Sequence, residues 1–291
     1  MTKILGCIDG SLYADGVCTL ISWAQARLQL PVTLLHVVTP SSVGGNPIDM
    51  TGQIGLGAKS DLLQALAEID AAHGKLALKK GQLMLSHAQA LLAANGIAQP
   101  EILHWRGRLV DTIATLESEL DLIIMGKRGE QHQTDSAHLG ANLERVARTI
   151  HKPLLLATQQ PKPIERILIA YDGSASAQKT LDYVASSALF KGLEVHLLNV
   201  GNDSAEATAS LAVAEEKLTA QGLSVIASLQ SGEAVATVAT VATVVRDYLD
   251  THAIDLLAIG AYGHSKIRRL ILGSTTTALI QQSQVPVLLC R

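Results

Sequence analysis

Lys3-Ile4-Leu5-Gly6-Cys7-Ile8-Asp9-Gly10-Ser11 recurs later in the chain as Arg166-Ile167-Leu168-Ile169-Ala170-Tyr171-Asp172-Gly173-Ser174. Both stretches are short apolar runs that end in Asp-Gly-Ser. Working outward, Leu34-Leu35-His36-Val37 recurs at the same offset as Leu197-Leu198-Asn199-Val200. Asp121-Leu122-Ile123-Ile124-Met125-Gly126 recurs as Asp255-Leu256-Leu257-Ala258-Ile259-Gly260, and Lys152-Pro153-Leu154-Leu155-Leu156 as Val285-Pro286-Val287-Leu288-Leu289. Four matched segments in one order make an internal duplication.

The repeated runs are continuously apolar rather than alternating, as parallel strands are when both faces are covered. Helical patterns lie between them, over Asp15–Leu28, Ser176–Leu189 and the Ala-, Leu- and Lys-rich Lys59–Ala94. Strand alternating with helix predicts an α/β fold of two tandem, doubly wound, Rossmann-like domains, each a mostly five-stranded parallel sheet. The polar linker Gln159-Gln160-Pro161-Lys162-Pro163 sets the expected domains at 1–158 and 164–291.

The two copies differ in length. Val37 to Gly107 is 70 positions and Val200 to Gly232 is 32, so the first copy holds a Gly-rich loop, Ser41–Gly57, and a longer helix. Gly107 to Gly126 is 19 positions and Gly232 to Gly260 is 28; the excess of nine equals the triplet tract Val235–Thr243. Nine residues add about 14 Å and two and a half turns to a helix. Inserted mid-helix they would turn the apolar face away from the core, so an extended helix start, a kink or an extra segment is expected.

The 291 residues carry a net charge of -3 and 3% aromatics, which gives neither an electrostatic footprint nor stacking platforms for nucleic acid. No apolar run approaches the roughly 20 residues of a membrane helix, and the apolar N-terminal run is too short for a secretory signal. Cys7, Cys18 and Cys290 are odd in number and widely spaced. They read as buried structural thiols of a cytoplasmic protein rather than a disulfide framework. Trp23 and Trp105 read as core or domain-contact residues.

The chemistry concentrates in Gly260-Ala261-Tyr262-Gly263, nine residues, then Gly273-Ser274-Thr275, between an expected strand and a helix. Glycines let backbone amides approach phosphate oxygens, and a helix N-terminus offers unpaired N–H groups with a favourable dipole. His264, Lys266, Arg268 and Arg269 add positive charge to the loop. A plain glycine-rich turn with a capping serine fits the same residues. Asp172 is read either as a ribose or metal-phosphate ligand, or as the acceptor of an Asx turn with Gly173 and Ser174.

With Asp-Gly-Ser after the first strand, Gly-x2-Gly-x9-Gly-Ser from Gly260 to Ser274, and the final Pro-Val-Leu-Leu strand, the chain resembles the universal stress protein family over its whole length, in tandem form. The resemblance implies a five-stranded parallel sheet, pairing of domains through their last strands, and ATP binding where the glycine motif is complete. By it, Asp172 and Val200 meet ribose and adenine, and Gly260, Gly263, Gly273, Ser274 and Thr275 hold phosphates, with or without Mg²⁺. The corresponding first-copy set is Asp9, Val37, Gly126, Gly129 and Gly140. There ten residues separate Gly129 from Gly140, Ala141-Asn142 replaces the hydroxyl pair, and Glu130 and Asp135 add negative charge, so that site reads as degenerate. Lys127 and Arg128 read as part of a solvated charged loop, as do His132 and His138.

The expected function is a cytoplasmic stress-response protein that binds ATP, mainly in its second domain, as a regulatory or structural ligand. The alternatives are a slow ATP hydrolase or phosphoryl-transfer enzyme, and a scaffold whose first domain binds another ligand or partner. No catalytic residue or metal site is assigned. The expected assembly is an intramolecular pseudo-dimer, with further homodimerisation open.

Overall fold

The computed structural model describes residues 2–39, 56–130, 139–201, 204–231, 237–261 and 272–291. The first copy runs β1 (Lys3–Cys7), α1 (Ala14–Leu28), β2 (Val32–Val38), α2 (Leu56–Ala94), β3 (Glu101–Arg106), α3 (Leu109–Leu116), β4 (Leu120–Gly126), α4 (Ala141–Thr149) and β5 (Leu154–Ala157). The second runs β6 (Arg166–Ala170), α5 (Ala175–Ser186), β7 (Glu194–Gly201), α6 (Ala205–Ala220), β8 (Ser224–Ser231), α7 (Val238–Thr251), β9 (Leu256–Gly260), α8 (Ser274–Gln282) and β10 (Val287–Cys290). The expected α/β alternation is present in both.

The helices start where local chemistry allows. Ser174, Ser204 and Thr237 are side-chain N-caps, accepting from the amides of Ala177, Ala207 and Thr240. Along α1 the buried Val17, Leu20, Ile21 and Ala24 follow helical spacing. Thr237 also settles the described part of the triplet tract. Val238–Thr243 form the first turns of α7, which has 14 residues where α3 has 8. The added length therefore lies at the helix start, and the core-facing Val245 and Leu249 keep their place nearer the strand.

Each copy winds outward from its first strand and then jumps to the other side of it, giving the orders β3-β2-β1-β4-β5 and β10-β9-β6-β7-β8. Among the described residues these join in one ten-stranded sheet. Every pairing is parallel except the seam, where β10 runs antiparallel to β5 with Leu288 opposite Leu155. Two short apolar edges that would each invite a foreign strand are thereby paired within one chain, in the manner of a two-fold dimer.

Alternate residues of the strands feed two cores, one per face. One holds Ile4, Leu122 and Ile124 under α1, α2, α5 and α6, the other Leu5, Ile123 and Met125 under α3, α4, α7 and α8. Each core runs through both copies, so the halves share their hydrophobic burial as well as their seam. At the boundary α1 lies so close to the end of β5 that a Cβ on Gly16 would stand 1.9 Å from the carbonyl oxygen of Thr158. Arg27 donates to the carbonyls of Leu189 and Lys191, and Arg291 to that of Arg148.

The halves expressed separately, 1–158 and 164–291, are expected to self-associate or aggregate through the bared β5 and β10 edges. Sedimentation velocity checks this; two stable, soluble monomers would contradict it.

Burial pushes the thiols of Cys7, Cys18 and Cys290 up to about 12, so all three stay protonated and unreactive, as structural thiols do. Trp23 packs half-buried against the core, with the Arg27 guanidinium 5.8 Å from its ring centre. Trp105 departs from expectation. It lies on the edge strand β3 and is 42% exposed, neither core nor contact between the halves.

Candidate functional site

The strand order puts a switch point between β6 and β9, because the chain leaves β6 for α5 on one face of the sheet and β9 for α8 on the other. Such a point opens a crevice at the carboxyl ends of the strands. Asp172 follows β6 and Gly260 ends β9, so the fold carries both to this edge. Val200 lies near the end of β7, the strand next to β6, and packs half-buried against the core.

Asp172 closes the turn expected of it. Its Oδ1 accepts from the Ser174 amide at 2.9 Å, and Gly173 takes φ +73°, a value that favours glycine. Ser174 then caps α5, so the exposed carboxylate is fixed to the start of a helix. The same device recurs at Asp9, whose Oδ1 accepts from the Ser11 amide at 3.0 Å.

Gly260 has a packing role of its own. A Cβ there would lie 2.4 Å from Ser176 Oγ and 2.8 Å from the Ser176 carbonyl carbon, so only glycine lets the first turn of α5 approach β9. Gly126 plays the same part against Tyr13. Beyond β9 the start of α8 is tied back to the strand: Thr276 Oγ1 donates to the Gly260 carbonyl at 2.9 Å, and the Gly273 amide to that of Ala261 at 3.2 Å. Gly273 is the N-cap residue and supplies no side-chain cap. Ser274, exposed, and Thr275, half-buried, are the first two helical residues. Their amides belong to the first turn, which has no acceptor within the helix. Gly263 and the basic residues His264 to Arg269 lie outside the described residues.

At the corresponding edge of the first copy the described segments approach one another closely. A Cβ on Gly129 would meet Asp9 Oδ2 at 3.3 Å, and one on Gly140 would meet the Gly129 nitrogen at 3.5 Å, so loop, turn and helix start lie against one another. The carboxylate of Glu130 reaches Gly10, where a Cβ would stand 2.8 Å from its Oε2, and it pairs with Lys80 of α2. Val37, half-buried, mirrors Val200. His132, Asp135, His138 and most of the Gly-rich loop 41–57 lie outside the described residues.

Lys127 corrects the reading of this loop as solvated. It is 6% exposed, and its Nζ donates to the carbonyls of Ser283 and Val285, at 2.9 and 2.8 Å, in the segment entering β10 of the other half. Burial, helped by the neighbouring Arg128, lowers its ammonium to about 7. Arg128 turns to the Tyr13 hydroxyl, 3.4 Å away. Nothing local in the sequence separates Lys127 from a surface lysine; its position one residue after the glycine that ends a buried strand is the one available hint. Among the described residues no group of three or more His, Cys, Asp or Glu side chains is placed to hold a metal ion, and no helix is long and apolar enough to cross a membrane.

The profile of the universal stress protein family matches residues 1–158 and again 163–291. A universal stress protein of Synechocystis sp. is 37% identical over 294 residues, covering 100% of both chains. One of Mycobacterium bovis is 22% identical over 207 residues, 66% of this chain and 64% of that one. In three dimensions the crystal structure of a universal stress protein from Archaeoglobus fulgidus covers 99% of this chain and 96% of its own, with a TM-score of 0.66 at 21% identity. With two family matches in sequence order and a full-length relative, the chain belongs to the universal stress protein family, as a tandem pair.

Proposed function

We propose that this chain is a cytoplasmic stress-response protein that binds ATP at the switch point of its second copy, as a regulatory or structural ligand. The observation that carries the reading is the placement of Asp172 and of the start of α8, whose N-cap residue is a glycine, at neighbouring strand ends, on opposite faces of the sheet. Amides of a first helical turn suit phosphate oxygens, and the dipole adds to them. Asp172, held by its turn, suits a ribose hydroxyl, with Val200 beside the base. Gly260, Gly263, Gly273, Ser274 and Thr275 complete the proposed phosphate-binding set. Mg²⁺, if it accompanies the nucleotide, would be held mainly by phosphate oxygens with Asp172 as the protein's carboxylate.

The first copy is proposed to bind ATP weakly or not at all. Glu130 brings a carboxylate onto the Asp9–Gly10 turn, the counterpart of the proposed ribose position beside Asp172, and so places negative charge next to where the phosphates would follow. Lys127 is committed to the seam and Arg128 to Tyr13.

Calorimetry on the whole chain is expected to find one strong ATP site. Asp172→Ala is expected to weaken it by about tenfold, the scale of one charge-assisted hydrogen bond, and Asp9→Ala to leave it unchanged. Two equal sites, or loss through Asp9 and not Asp172, would overturn the assignment. Mass spectrometry of small molecules carried through purification tests the ligand itself, and steady ATP turnover would favour an enzyme over a binder.

A further inference from the structure

Helix α2 is 39 residues long, and among its described side chains burial is confined to the C-terminal part: Leu85, Ala88 and Leu92 are buried, while nearly every side chain from Gln64 to Lys80 is exposed. Gly81 marks the change, lying against His36 and His104 on the sheet face. On the side turned away from the body, Ile69, Leu76 and Leu83 are 47%, 66% and 65% exposed. They are spaced by seven residues, so they form one stripe along the outer face of the helix. An exposed helix with so little packing gains little from propensity alone, and an apolar stripe on it calls for a partner.

Charge selects the partner. Of the charges that flank the stripe, the acidic Glu68 lies on its N-terminal side and Lys75 and Lys79 lie further on, while Lys80 is already paired with Glu130. A second copy of the same helix laid antiparallel meets acid with base, whereas a parallel one meets like with like. With Ile69 opposite Leu76 of the second copy, Glu68 falls beside Lys75 and Lys79 of that copy. The contact is self-complementary, as a two-fold interface must be. We infer that α2 is a homodimerisation helix and that two copies of this chain pair antiparallel through the stripe Ile69, Leu76 and Leu83. The surface is separate from the β5–β10 seam, which is already satisfied within each chain, and it stands independently of the proposed ATP site.

Sedimentation velocity on the full chain is expected to show a reversible dimer, weakened by salt. Leu76→Glu is expected to raise the dissociation constant more than tenfold, with unchanged thermal unfolding at concentrations where both proteins are monomeric, since Leu76 contributes little to the fold of the monomer. Orientation is read by crosslinking, because the native thiols are buried. A mixture of Ile69→Cys and Leu76→Cys chains is expected to form mixed disulfide dimers on oxidation by copper–phenanthroline, and Ile69→Cys alone is not. A wild-type monomer at high concentration, an unaltered dimer in Leu76→Glu, or efficient crosslinking of Ile69→Cys alone would overturn the inference.

Discussion

Replacing Leu155 by Asp is expected to abolish the native fold, or to cost at least about 4 kcal/mol if the chain still folds. Leu155 is fully buried on β5, faces the equally buried Leu288 across the antiparallel seam, and belongs to the core that runs under α1, α2, α5 and α6. A carboxylate there has no water, no basic partner and no room to turn outward. Because that core passes through both copies, the damage should reach both rather than melt one half. Urea unfolding followed by circular dichroism measures it, with Leu155→Met as the volume-conserving control, expected to cost less than about 1.5 kcal/mol. A Leu155→Asp chain with a wild-type midpoint would mean that the seam does not form in solution.

The second large effect is expected at Lys127. Its lowered value of about 7 means that above neutrality the buried amine is neutral, with two N–H groups for the two carbonyls it reaches. Lys127→Met keeps the stem and removes both donors. At pH 9 the expected loss is about 2 kcal/mol, the cost of one broken pair and a buried carbonyl left without its donor; Val285 keeps the Ser283 hydroxyl as a second donor. The pH dependence has a definite sign. Between about pH 7 and 10.5 the unfolded chain holds a proton on this lysine that the folded chain has released. The stability due to Lys127 is therefore complete above pH 10.5 and lost as pH falls towards 7. Wild type should gain on the Met variant as pH rises through that window. Parallel stability curves across it would show that Lys127 is charged and solvated after all.

The fold was largely legible before any coordinates. Strands covered on both faces have no alternation to confuse, so β1, β4, β6 and β9 stand out as uninterrupted apolar runs. Repetition of those runs, each ending in the same turn residues, gave the duplication and hence the winding of each sheet. The Asp172 turn was equally plain, because an Asx turn is made within three residues. The triplet tract was harder. Sequence left three arrangements, and packing chose among them by holding Val245 and Leu249 in the core while the surplus length ran out at the helix start.

What sequence by itself determined, then, is whatever a short segment decides for itself: apolar runs, turns, caps and their repetition. Tertiary structure alone decided contacts between segments far apart. Lys127 and Ser283 are separated by 156 positions, and no local pattern distinguishes a lysine aimed at distant carbonyls from one aimed at water. The same holds for Gly260, which reads as a phosphate glycine in the motif and acts in the fold as the gap into which α5 settles. It holds for Glu130 at the Asp9–Gly10 turn, and for Trp105, aromatic and apolar by composition yet placed on a sheet edge. Strand order brings these partners together, and the free energy of each contact depends on burial that exists only once the whole sheet has closed.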